Sequence, residues 1–154
     1  MMRFSKDFKL KVYQSCSALI DSKIATIQKE YKLYQDSAAN ETKSSAGDKH
    51  DTGKAMMQME QEKLGVQFKE LVNSKKILAS INPGISSAKI SFGSFVVTDS
   101  GIFYISISLG KINIESEDIF IISSQSPLAK LMLNLGLKDK FNFNGKVYQI
   151  SEIY

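Results

Sequence analysis

The chain has 154 residues, 43% hydrophobic and 23% charged, with 20 Lys/Arg against 16 Asp/Glu for a formal net charge of +4. The composition is that of one globular domain or two small modules, and apolar runs such as Ile119–Ile122 are far too short to span a bilayer. One cysteine, Cys16, and one histidine, His50, exclude an internal disulfide framework, a cysteine-built zinc site and a His-rich metal site, while the lack of a continuous apolar segment behind Arg3 and Lys6 argues against a secretory signal and points to the cytoplasm.

The first predicted element is a long helix. Tyr13, Cys16, Ile20, Ile24, Ile27, Tyr31 and Tyr34 recur at spacings of three and four, which places them on one stripe. Cys16 lies on that stripe and reads as core rather than as a nucleophile. The stretch from Ser37 to Asp48 is small, polar and without apolar periodicity, and reads as a turn. Met57, Leu64, Leu71 and Leu78 then recur every seven residues with Phe68 between them, the seam of a second long helix. Met56, Met57 and Met59 read as seam filler. Two seams joined by one turn predict an antiparallel helical hairpin, a coiled coil with arms on the order of 45 Å at 1.5 Å rise per residue.

Asn82-Pro83-Gly84 breaks the helical pattern. The expected domains are therefore residues 1–82, a hairpin carrying 14 Lys/Arg and 10 Asp/Glu, and 83–154, carrying six of each. All but one of the basic residues are lysines. Lysine is a point charge rather than a bidentate fork, which suits a polyanionic or acidic partner better than base-edge reading; a solvated helical surface is the plainer reading.

The second half reads as strands. Phe95 to Thr98 precede an Asp99-Ser100-Gly101 turn. Phe103, Ile105, Ile107 and Leu109 at period two predict a strand buried on one face. Gly110-Lys111 turns the chain toward Ile112 and Ile114, and Ile119–Ile122 forms another strand. Ser126 as N-cap and Pro127 at the first helical position open a short helix with Leu128, Leu131, Met132 and Leu135 on its apolar side and Gly136 at its end. Phe141 and Phe143, Asn144-Gly145 and Val147–Ile153 predict a closing hairpin. The fold class is α+β: a helical hairpin followed by a small antiparallel sheet with one helix.

No Gly-rich loop before a lysine, Gly-x-Ser-x-Gly or His-Glu-x-x-His occurs. The residues that could carry chemistry lie at the predicted tip, Gly47-Asp48-Lys49-His50-Asp51. Asp48 and Asp51, three apart at a helix start, project to roughly one side. They can act as a cap and a dipole partner for the second helix. They can equally present two hard oxygen ligands to a Mg²⁺ held mainly by another protein.

This pattern resembles the bacterial GreA/GreB transcript cleavage factors, over nearly the whole chain. The tip matches their Gly-Asp, two residues, second acid spacing at Gly47, Asp48 and Asp51. Phe92-Gly93-Ser94 resembles their opening strand, Ile121-Ile122-Ser123 followed by Ser126-Pro127-Leu128-Ala129 their strand and Ser-Pro-led helix, and Phe141–Ile153 their final strands. The resemblance implies an FKBP-like C-terminal domain that binds RNA polymerase, with Ser126, Pro127 and Leu128 in the contact region. It implies a coiled-coil tip inserted into the secondary channel. There Asp48 and Asp51 would assist Mg²⁺ shared with the polymerase in cleaving the 3′ end of backtracked nascent RNA. The chain would then be an accessory factor rather than an enzyme, with no cofactor when isolated, no membrane partner, and a monomeric state. The tip departs from the family where Asp51 stands for the usual glutamate and Thr52 for asparagine, and no Glu-Tyr pair follows. A channel-occupying regulator without cleavage activity therefore stands as the alternative, and a scaffold protein reusing the architecture as the third.

Overall fold

The computed structural model describes residues 3–42 and 49–154, with side chains described for 3–37 and 53–154. In chain order the elements are α1 (Lys6–Thr42), α2 (Lys49–Ala79), β1 (Phe95–Thr98), β2 (Ile102–Ser106), β3 (Gly110–Ile114), β4 (Glu117–Ser123), α3 (Pro127–Met132), β5 (Lys140–Phe143) and β6 (Lys146–Ile153). The architecture is the expected α+β one: a two-helix hairpin and an FKBP-like sheet with one short helix. The chain divides into two compact units, Ala18–Lys75 and Met1–Ser17 with Lys76–Tyr154. The sequence boundary at Pro83 differs from this division because the first turns of α1 and the last turn of α2 are core of the sheet unit.

In the helical unit, partners descend along α2 as they ascend along α1. Asp21 pairs with Lys75 at 2.7 Å, and Ile27 and Tyr31 face the same groove as Leu64 and Phe68. The helices are therefore antiparallel. The heptad seam is as predicted, with Leu64 buried and Met57, Phe68 and Leu71 half-buried. Met56 and Met59 depart from the expectation: they are 63% and 68% exposed, because a position one or two residues from the seam rotates away from it.

In the sheet unit the strand order is β3-β4-β2-β1-β6-β5. Four pairings are antiparallel and one, β2 with β4, is parallel. The sheet is thus mixed where sequence reading gave only antiparallel neighbours. The cause is the β3–β4 hairpin, whose second strand inserts beside β2. Its turn, Glu115-Ser116, has φ of 51° and 67°, so both residues adopt the left-handed conformation of a type I′ turn without glycine or asparagine to announce it. The β5–β6 turn does announce itself: Asn144 and Gly145 have φ of 53° and 78°.

All five residues of β2 are buried, not only the predicted face. Phe103 and Ile105 face a core of Ile90, Val96, Ala129, Met132, Phe141 and Ile150 beneath α3. On the opposite side, the first turns of α1 cover the sheet with Phe8, Val12 and Cys16. Ser5 starts α1, its Oγ accepting from the Phe8 amide at 3.2 Å. The Lys9 stem is buried there and its Nζ donates to the Ile85 carbonyl at 2.9 Å, tying α1 to the segment after Pro83. Burial, and secondarily the charge of Lys6, lowers the Lys9 pKa from its ordinary value. Gly93, at φ +93°, lies where a Cβ would stand 3.1 Å from Ile81 Cγ2, so only glycine serves both conformation and contact.

Candidate functional site

The two tip carboxylates sit where α1 gives way to α2. Asp48 lies outside the described residues. Asp51 is the third residue of α2, in its first turn, with its side chain outside the described ones. A carboxylate in the first turn is favoured by the helix dipole. Among the described residues no group of three or more His, Cys, Asp or Glu is placed to hold a metal ion.

The second predicted feature is local and well defined. Ser126 is the N-cap of α3, at φ −67° and ψ 150°, and its Oγ accepts from the Ala129 amide at 3.2 Å. Pro127 occupies the first helical turn, where its missing N–H costs nothing. The helix ends at Met132 rather than at Gly136, because Leu133 leaves helical geometry at φ −55° and ψ 135° and Asn134 follows at φ 71°. Leu128 is half-buried against the core, whereas Pro127 and Lys130 are exposed and Leu131 is 44% exposed. The Ser-Pro sequence therefore presents one short helix face to solvent.

Two features escaped sequence reading. The hairpin seam opens at Gly65 into an apolar groove of about 430 Å³, lined also by Ile27, Tyr31, Leu64 and Phe68; a Cβ at Gly65 would meet nothing within 4 Å. A glycine inside a helical pattern was the available signal. A smaller cavity of about 260 Å³ follows α2, lined by Ser80, Asn82, Ser91, Phe92 and Ser94.

Cys16 is inert core, as its stripe position implied. It is fully buried and unpaired, and burial pushes its thiol up from 9.0 to about 12. The unfolded chain ionises this thiol above its ordinary value while the folded chain keeps it protonated. Its contribution is therefore complete below pH 9 and declines as pH rises toward 12. Burial also raises Tyr104, and burial with the Glu152 hydrogen bond raises Tyr154 to about 12, so these groups add to the decline above pH 10. We expect stability to fall by about 1.4 kcal/mol between pH 7 and pH 10 on account of Cys16. Chemical denaturation across that interval checks it, with Cys16→Ala less stable at pH 7 but flatter in its pH profile.

No family model and no curated protein matches the chain. Among solved structures, it is similar to the GreA factor homolog 1 (Gfh1) protein of Thermus thermophilus at 14% identity and a TM-score of 0.37, covering 90% of this chain and 94% of that one. Among the described residues, no helix is long and apolar enough to cross a membrane.

Proposed function

We propose that this chain is a GreA/GreB-type factor that binds RNA polymerase through its C-terminal module, enters the secondary channel with its hairpin and stimulates cleavage of backtracked RNA. The observation that carries this reading is the joining, in one chain, of an antiparallel two-helix hairpin to a sheet module with a Ser126-Pro127-capped helix; the sequence motif Gly47-Asp48 with Asp51 supports it.

Each part has a stated role. On this reading both carboxylates belong to the tip, Asp48 in the sequence between α1 and α2 and Asp51 in the first turn of α2. Asp48 and Asp51 are hard oxygen donors, the class Mg²⁺ prefers, and two carboxylates are a common protein contribution to a Mg²⁺ shared with phosphates. They are the residues that would hold the ion together with polymerase groups; when bound there, it supplies activation of water and stabilisation of the leaving oxygen in phosphodiester hydrolysis. On this reading Ser126, Pro127 and Leu128 set the face that meets polymerase, Ser126 through the cap and Leu128 through its anchorage in the core. The factor contributes ligands and position, and the nuclease activity belongs to the polymerase.

A transcript cleavage assay on a backtracked elongation complex tests this. The unmodified protein should release short 3′ fragments. Asp48→Asn with Asp51→Asn should retain polymerase binding and lose cleavage by at least about 10- to 100-fold. Binding without cleavage by the unmodified protein would favour the channel-occupying regulator, to which Thr52 and the shorter Asp51 point. Failure to bind polymerase would overturn both.

A further inference from the structure

Each arm of the helical hairpin carries one apolar stripe, and pairing the two stripes leaves the flank of the seam open. On that flank lies the groove of about 430 Å³ at Gly65, walled by Ile27, Tyr31, Leu64 and Phe68 with Lys69 at its edge. Leu64 is buried, but Ile27 and Phe68 are only half-buried and Tyr31 is 41% exposed. The Asp21–Lys75 pair sets the register of the arms. Ten residues along α1 from Asp21 and ten back along α2 from Lys75 place Tyr31 level with Gly65. A Cβ at Gly65 would meet nothing within 4 Å, so the packing of its own two helices does not call for a glycine there. Inside a helix glycine is less stable than alanine, and what its missing Cβ permits is the close approach of another backbone.

Charge on the same flank is arranged as its own complement. Glu62, Gly65 and Lys69 follow at i, i+3 and i+7, and so share one side of α2. Both charged residues are exposed, and the ion pairs among the described residues engage neither of them. A second α2, turned end for end about a twofold axis beside Gly65, brings its Lys69 to Glu62 and its Glu62 to Lys69. Gln58 and Val72, seven residues to either side of Gly65, meet in the same way.

We propose that this flank is the interface of an antiparallel homodimer: a second copy of the chain seats its groove against this one, Gly65 facing Gly65 at the crossing and Lys69 of each copy paired with Glu62 of the other. The distance between packed helices is set by the side chains at their contact, so a glycine at the crossing brings the two α2 helices close. The Tyr31 rings at the same level fill the space that the glycines leave. A self-complementary patch is what a twofold interface requires, and two hairpins packed flank to flank make a four-helix bundle, in which the half-buried seam residues become core. A small apolar ligand would fill the groove but leave the Glu62 and Lys69 pattern unused. The inference concerns the free protein and stands apart from the polymerase reading; it departs from the monomeric state that the family resemblance implies.

The test is sedimentation equilibrium of the full chain over a series of protein and salt concentrations. A concentration-dependent monomer–dimer equilibrium is expected, weaker at high salt. Glu62→Lys and Lys69→Glu should each weaken it by about 10-fold or more, because each sets like charges against one another twice across the axis. The two substitutions in one chain should restore it. Gly65→Glu should abolish dimerisation while the monomer melts no lower than the unmodified chain, since the added side chain has open space and Lys69 lies four residues on. Thermal melts of dilute samples by circular dichroism read this second half, which separates association from folding. A single monomeric species at every concentration, undiminished dimerisation by Gly65→Glu, or failure of the charge exchange to restore association would each overturn the proposal.

Discussion

Phe95→Ala is expected to destabilise the protein by about 4 kcal/mol, within the range for truncating a fully buried phenylalanine. Phe95 is 0% exposed in β1 and joins three parts of the chain. Its ring lies 5.6 Å from Phe4, 5.7 Å from Phe8 and 6.2 Å from Tyr154. Truncation leaves a void bounded by the segment before α1, the first turn of α1 and the last residue of β6's extension. These rings are held by the sheet backbone on one side: the Phe95 amide donates to the Tyr154 carbonyl at 2.8 Å and the Tyr154 amide to the Phe95 carbonyl at 2.9 Å. The void therefore cannot close without breaking this pairing. Urea denaturation monitored by circular dichroism should show a lower midpoint, and Phe95→Leu should recover more than half of the loss. An effect below about 1 kcal/mol would mean that α1 does not depend on this aromatic cluster for its docking.

Glu152→Ala is expected to cost about 3 kcal/mol, and for a different reason. Glu152 is 8% exposed, and its Oε1 accepts from the Arg3 amide at 2.8 Å, the Phe4 amide at 3.0 Å and the Tyr154 hydroxyl at 2.7 Å. Hydrogen bonds to a charged acceptor contribute about 1.5–3 kcal/mol, and three donors would lose theirs at once. The Tyr154 hydroxyl, with one proton to donate, can turn to the Phe4 carbonyl at 2.7 Å instead, so the loss is less than three separate bonds would give. Tyr154→Phe should cost about 1 kcal/mol, and the double variant should be less than additive. In a protein of this length, 3 kcal/mol lowers Tm by roughly 6–12 °C. Equal stability of Glu152→Ala and the unmodified chain would show that the carboxylate makes no net contribution.

Both predictions turn on contacts that the first eight residues make with positions about 90 to 150 further along the chain, and neither was visible in the sequence. Phe4 precedes α1 and Phe8 lies in its first turn, both ahead of the legible stripe that begins at Tyr13; nothing local says that they meet Phe95. Glu152 reads as an outward-facing residue of an alternating strand until Arg3 and Phe4 arrive over it. The parallel β2–β4 pair was equally hidden, because the Glu115-Ser116 turn lacks the residues that ordinarily signal a left-handed turn. The seam of α2, the cap of α3 and the Asn144-Gly145 hairpin were legible because each depends on spacings within one or two turns of chain. The candidate tip was legible only as a motif, Gly47-Asp48 with Asp51, of which Gly47 and Asp48 lie outside the described residues. Phe120 and Tyr148 were not picked out, since their meaning comes from neighbours on other strands.

The amino-acid sequence by itself determined the element types, the two-helix hairpin and the strand-rich second half, because helical and strand periodicities and turn chemistry are local properties. The tertiary structure decided which faces are core, where the compact units divide, how β4 slips beside β2, and which aromatics pack on one another across the strands. Those outcomes depend on long-range pairing, in which backbone hydrogen bonds and buried apolar area select among arrangements that the same local pattern permits.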